Sequence, residues 1–201
     1  GFKKNILLST GMSSKKEIIF ALKTLINYGV SKKKVIILQC NSEYPSPYRD
    51  INLQAMVSFK KEFNCDYGLS DHSLGIEVPI AAAALGAKVI EKHFTLNKKF
   101  EGPDHHMSLL PKELEQMISS IRNVEKALGK KTKIVTKSEK KNIKVARKSI
   151  VARLEIKVGE KFTTKNLTIK RPGNGIPANE YFNLIGRKSK RTFKKDELIR
   201  R

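Results

Sequence analysis

Gly68-Leu69-Ser70-Asp71-His72-Ser73 and Val89-Ile90-Glu91-Lys92-His93-Phe94-Thr95 are two short strand-like segments, each ending in a histidine. The apolar run between them, residues 76–85, has the right length for a crossover helix. A strand, a helix and a second strand in that order make a parallel βαβ unit. Side chains at the ends of consecutive parallel strands converge on one rim, where α/β proteins place their chemistry. Two imidazoles meeting there, with Glu91 and Asp104 nearby, make a candidate site for a divalent metal.

Working outward, the same alternation repeats. Residues 5–10 form a short apolar run, as expected of a buried parallel strand. Ser14 caps a helix, with Glu17 three residues on completing a capping box, and Gly29 stops it. Residues 35–40 are a second buried strand, followed by a Pro-containing loop and a helix over 51–63. The third strand is read at 67–71 and the fourth at 88–94. Pro111 fits the first turn of a long helix whose stripe is Leu114, Met117, Ile118, Ile121, Val124 and Leu128, ended by Gly129. Four sequential βα units suit a doubly wound sheet or part of a barrel. No glycine-rich dinucleotide fingerprint follows any strand, and the strand ends are polar: Ser9, Thr10, Asn41, Ser42, Ser70, His72 and His93. That favours half of an eight-fold TIM barrel over residues 1–129, with the active site on the C-terminal rim.

After Gly129 the texture changes. Residues 130–148 are basic, nearly free of large apolar side chains, and read as a linker. Residues 149–201 show short β segments at 149–152, 161–162 and 167–170, broken by Gly159 and by the Pro172-Gly173-Asn174-Gly175 turn, with a helical turn at 181–185. A domain of roughly 55 residues is near the lower limit for independent folding and is expected to dock on a partner.

The chain has 201 residues, 41 Lys and Arg against 19 Asp and Glu, and a net charge of +22. Such a charge raises nucleic acid as a partner. The lysines are spread over the whole chain, however, with no aromatic-interleaved patch, zinc-ligand spacing or helix-turn-helix pattern. An anionic small-molecule substrate suits the same field. No apolar run approaches the ~20 residues of a membrane helix, and the basic start at Gly1-Phe2-Lys3 precedes too short an apolar stretch for a secretory signal. The first residue is not Met, which reads as an internal piece of a longer chain. Cys40 and Cys65 are read as free thiols, consistent with a reducing cytoplasm.

Ser-Asp-His at 70–72, Glu-Lys-His-Phe-Thr at 91–95 and Gly-Pro-Asp-His at 102–105 resemble motifs of the sialic acid synthase family, the N-acetylneuraminate synthases and related nonulosonic acid synthases. Leu8-Ser9-Thr10-Gly11-Met12, Cys40-Asn41-Ser42-Glu43-Tyr44-Pro45-Ser46-Pro47 and Lys170-Arg171-Pro172-Gly173-Asn174-Gly175-Ile176 match as well, in family order. The resemblance implies strands five to eight of a TIM barrel followed by an antifreeze-like (SAF) domain. It implies metal-dependent condensation of phosphoenolpyruvate with N-acetylmannosamine, giving N-acetylneuraminate and phosphate. A diacetamido sugar leading to legionaminic or pseudaminic acid is the alternative within the class. A non-catalytic carbohydrate- or nucleic-acid-binding fragment is the alternative outside it.

The same resemblance assigns roles. His72 and His93 match the family's metal ligands, with Mn²⁺ first and Mg²⁺ or Co²⁺ as alternatives. Asp104 is expected on sugar hydroxyls or metal-bound water, and His105 fits the family pattern, whereas His106 departs from it. Ser9, Thr10, Asn41, Ser42 and Ser70 are short donors suited to phosphate or carboxylate oxygens, although such residues also serve turns for their own sake. Tyr44, with Glu43, is expected to help set which sugar fits. Arg171 is expected on a loop that reaches a partner subunit's site and touches the N-acetyl group, which implies a domain-swapped homodimer. Gly175-Ile176-Pro177 departs from the Ser-Pro of many relatives. The lysines that anchor phosphoenolpyruvate in the family fall upstream, so the chain alone is expected to be inactive. Glu91 and Lys92 alternate on one strand, so one shares the side of His93 and the other faces the helices. A charge buried that way must be paired, and both are read as structural partners before catalytic groups.

Overall fold

The parallel sheet follows from the alternation of apolar strand runs with capped helices. The computed structural model describes residues 4–200; the start at Gly1-Phe2-Lys3 lies outside them. Two compact units divide at Lys130 and Lys131.

In the first unit β1 (Ile6–Ser9) leads to α1 (Lys15–Asn27), β2 (Val35–Cys40), α2 (Leu53–Phe63), β3 (Asp66–Asp71), α3 (Glu77–Ala84), β4 (Ile90–Lys92) and α4 (Pro111–Leu128). The strands are all parallel and lie in the order β1-β2-β3-β4, the half-barrel expected from the sequence. Ser14 and Glu17 form the capping box of α1, with the Ser14 main-chain N–H donating to Glu17 Oε2 at 2.7 Å. Asn52 caps α2, so this helix starts at Leu53, two residues later than the periodicity suggests. Pro111 opens α4 and Gly129, with φ of 56°, closes it. Of the α4 stripe only Met117 is fully buried, while Ile118 and Leu128 are exposed.

Side-chain alternation divides the sheet into two faces. Ile6, Leu8, Val35 and Ile37 pack with Ile18, Leu22, Phe59 and Phe63 of α1 and α2. Leu69 and Ile90 pack with Met56, Val78 and Ala82 of α2 and α3. The opposite face carries Ser9, Leu38, Cys40, Gly68, Ser70 and Glu91, matched across the register Ser9↔Leu38, Leu38↔Gly68, Cys40↔Ser70 and Ser70↔Glu91. Gly68 allows this face to close up. A Cβ there would collide with the Val89 carbonyl and lie 2.7 Å from Leu38 Cδ2. The fourth strand, Ile90–Lys92, is shorter than the 88–94 read from the sequence, because Phe94 and Thr95 leave the ladder to bond the loop at Leu109.

The second unit has an antiparallel pair, β5 (Ser149–Ala152) and β6 (Leu167–Lys170). Isolated bridges, among them Lys161↔Lys188 and Ile156↔Phe193, add further pairing around it. Its core is Ile150, Ile156, Phe162, Leu167, Phe193 and Ile199. The segment read as a linker contains two helical turns, Lys137–Lys140 and Ile143–Ala146. Capping by Thr136 forms the first, and the second is tied to the unit by Gly173 N–H donating to the Lys144 carbonyl at 2.7 Å. Cys40 and Cys65 are both free. No helix among the described residues is long and apolar enough to cross a membrane.

Candidate metal and sugar site

His72 directly follows β3 and His93 directly follows β4, so the register that pairs Asp71 with Lys92 sets the two histidines side by side. Their rings lie 5.5 Å apart, edge to face. Tyr44 reaches between them from the loop after β2. Its hydroxyl bonds His72 Nε2 and lies 2.7 Å from His93 Nε2, and its ring stacks on His72 at 3.9 Å. A phenol has one proton, so it donates to one imidazole and accepts from the other.

Each histidine is oriented from behind. His72 Nδ1 donates to the Asn41 carbonyl at 2.5 Å, which leaves its Nε2 lone pair facing the centre. The Ser46 main-chain N–H in turn donates to the His72 carbonyl at 2.9 Å, fixing the loop that carries Tyr44. His93 Nδ1 lies 3.7 Å from Asp104 Oδ2. Asp104 itself is held by its carbonyl, which accepts from Ser108 Oγ at 2.7 Å. On the same face Ser70 Oγ donates to Glu91 Oε1 at 2.6 Å and lies 3.5 Å from His72 Nε2.

Burial lowers the pKa of His72 below its ordinary value, and the neighbouring His93 adds to the shift, so the ring is neutral at pH 7. Burial, followed by the negative potential of Cys40, Asp104 and Glu91, raises the Tyr44 phenol to about 12. His72 Nε2 therefore turns a lone pair to the centre, beside a phenol that stays protonated at neutral pH. Among the described residues no group of three His, Cys, Asp or Glu side chains converges. Two imidazoles aimed at one point fit a divalent ion that takes its remaining ligands from oxygen donors once the phenol moves aside.

The structure gathers Tyr44, Ser70, His72, His93 and Asp104 into one cluster. Asn41 belongs to it through its carbonyl. Its side chain accepts from the Glu43 N–H at 2.8 Å and donates to the Asp50 carbonyl at 3.3 Å. Thr10 likewise donates to the Leu38 carbonyl at 2.8 Å. Ser9 stands exposed at the end of β1, and Ser42 packs over Gly11. His105 bonds Thr95 Oγ1 at 2.8 Å, a loop contact. Arg171 lies in the second unit, exposed, with Nε donating to the Ala146 carbonyl at 3.0 Å.

The sequence reading missed two features. The hold of the Asn41 carbonyl on His72 leaves no mark on residue type. The partner of Lys92 is Asp71, 2.7 Å away and almost wholly buried with it. The Ser-Asp-His triplet contained that signal, since the residue beside a rim histidine must face the helices.

Residues 1–133 match the NeuB family and residues 147–201 match the SAF domain. The chain is 49% identical over 197 residues to the N,N'-diacetyllegionaminic acid synthase of Campylobacter jejuni, covering 98% of this chain and 59% of that protein. It is 41% identical over 164 residues to human N-acetylneuraminate-9-phosphate synthase, covering 81% and 46%. The crystal structure of N-acetylneuraminic acid synthetase from Leptospira borgpetersenii, in complex with citrate, aligns with a TM-score of 0.61 at 36% identity, over 69% of this chain and 48% of that one. The chain thus spans less than two thirds of the length of these relatives. It belongs to the NeuB family of nonulosonic acid synthases, with a SAF domain following the half-barrel.

Proposed function

We propose that this chain carries the aldehyde-binding half of an enzyme that condenses phosphoenolpyruvate with an open-chain, N-acetylated amino-sugar aldehyde. The observation that carries the reading is the convergence of His72 Nε2, His93 Nε2 and the Tyr44 hydroxyl on one point. A bond forms between C3 of the enol phosphate and the aldehyde carbon, and the aldehyde oxygen takes up a proton. Water adds at C2, the bond from C2 to the phosphate oxygen breaks, and inorganic phosphate leaves.

His72 and His93 would hold a divalent cation, Mn²⁺ in the first instance. Such an ion supplies Lewis-acid polarisation of the aldehyde oxygen. The Asn41 carbonyl keeps the His72 tautomer, and Asp104, 3.7 Å from His93 Nδ1, would present its exposed carboxylate to sugar hydroxyls. Tyr44, protonated at neutral pH, donates to a substrate oxygen once it leaves the imidazoles. Ser70, Ser42 and Ser9 line the face on which phosphate or carboxylate oxygens would lie. Arg171, its Nε anchored on Ala146, would offer its remaining N–H groups to an acetamido carbonyl in the partner subunit of a domain-swapped homodimer.

The 49% identity to a diacetyllegionaminic acid synthase favours a diacetamido sugar as the acceptor. The 41% identity to an N-acetylneuraminate-9-phosphate synthase supports N-acetylmannosamine or its phosphate as the second reading. Phosphate release by the full-length protein, supplied with phosphoenolpyruvate, Mn²⁺ and each sugar in parallel, decides between them. Turnover of none by a folded, metal-loaded protein would end the enzymatic reading.

A further inference from the structure

β3 and β4 are joined by two side-chain rungs on opposite faces of the sheet. On the polar face Ser70 Oγ bonds Glu91. On the helix-facing side Asp71 and Lys92 form an ion pair at 2.7 Å, with side chains only 1% and 4% exposed. Every polar atom of that pair is engaged in a way that looks beyond the pair itself. Asp71 Oδ1 accepts the Ser73 N–H and Oδ2 accepts the Ser73 hydroxyl, both at 3.0 Å. Lys92 Nζ donates to Asp71 and, at 2.5 Å, to the Ser73 carbonyl. The residues bonded together therefore flank His72 on both sides and precede His93. Asp71, Ser73 and Lys92 also line the same small void as Tyr44, His72 and His93.

Such a pair is a costly way to hold two strands. Removing two charges from water is only offset by close geometry and further hydrogen bonds, and an apolar pair often stabilises as well or better. The sheet already has register hydrogen bonds and an apolar layer at Leu69 and Ile90. What the ion pair adds is direction. It ties the last rung of β3 to the last rung of β4 and clamps the Ser73 backbone, so the main chain on either side of His72 cannot drift from that of His93.

We infer that the Asp71–Lys92 pair with Ser73 is a positioning device that sets the separation and aim of the two imidazoles. The inference rests on the metal-site reading above. Asp71 and Lys92 touch no substrate; they act through His72 and His93.

The test is the double variant Asp71→Asn/Lys92→Met in the full-length protein, since neutralising one partner strands the other charge. Circular dichroism and melting without metal report folding, calorimetry reports Mn²⁺ affinity, and NMR of ring-labelled histidine reports the imidazoles. The variant is expected to fold, to bind Mn²⁺ at least ~10-fold more weakly, as outer-shell losses typically do, and to show broadened or doubled signals for His72 and His93. A folded variant with unchanged Mn²⁺ affinity and single, unshifted imidazole signals overturns the inference. If the double variant does not fold, Lys92→Arg, which keeps both charges and changes only the geometry of the pair, is read by the same criteria. If the unmodified protein binds no Mn²⁺, the metal reading fails on its own, and the imidazole signals alone decide positioning.

Discussion

His72 and His93 hold their Nε2 atoms 2.7 Å or closer to one hydroxyl oxygen, and each is steadied at Nδ1 by a different group. Loss of either ring should therefore be felt more strongly than loss of either support. His72→Ala and His93→Ala are expected to abolish Mn²⁺ binding in a calorimetric titration, while Asp104→Asn weakens it about 10- to 100-fold. Equal affinities for Asp104→Asn and the unmodified protein would detach Asp104 from His93. The two histidines were legible in the sequence because strand ends have predictable direction. Tyr44 was legible only as a loop residue near the site, since contacts made across a loop carry no period. The contact between His72 and the Asn41 carbonyl was not legible, since sequence is silent about which carbonyl a ring will find.

Elements were legible where a cap or a stop marks them. The Ser14–Glu17 box and Gly29 frame α1, and Pro111 and Gly129 frame α4. Ser14→Ala is expected to cost about 1 kcal/mol in a urea titration. The hydrogen bond from Ser14 lowers the pKa of Glu17 below its ordinary 4.5. Its stabilising effect is therefore present above pH 4.5 and lost as pH falls through the lowered value. Glu17→Gln should flatten that part of the acid limb. Strand ends were less legible. The strand read at 88–94 continues past Lys92, but the ladder stops there because Leu109 captures the chain at His93 and Thr95. Gly68 gave no sequence signal for its role, which is to let Leu38 and Val89 approach. Gly68→Ala is expected to destabilise the first unit by about 1–3 kcal/mol through overpacking, seen as an earlier denaturation of that unit with the second unchanged.

At the scale of the whole molecule, the two units carry charge unequally. Residues 131–201 hold 22 of the 41 Lys and Arg but only 6 of the 19 Asp and Glu. Self-repulsion of that kind is screened by salt. Raising NaCl from about 0.02 to 0.5 M, which shortens the screening length severalfold, should raise the melting temperature of the second unit more than that of the first in calorimetry. The proposed swapped dimer gives a sharper forecast. Arg171→Ala should raise the KM for the sugar and leave Mn²⁺ affinity unchanged. Mixing dissociated and reassembled His72→Ala and Arg171→Ala proteins should restore about a quarter of the original activity, because a mixed dimer with shared sites regains one intact centre. Absence of any recovery would show each site to be made by one chain. The change of texture after Gly129 is legible in the sequence, but the helical turns at 137–146 are not, because their short basic segments have no apolar stripe to announce them. The manner in which the imidazoles are held also has an evolutionary consequence. A main-chain carbonyl grips His72, so codon 41 can drift without loosening that grip. Asp71 and Lys92 depend on each other's charge, so in a lineage of descendants those two codons should be rewritten together or left alone.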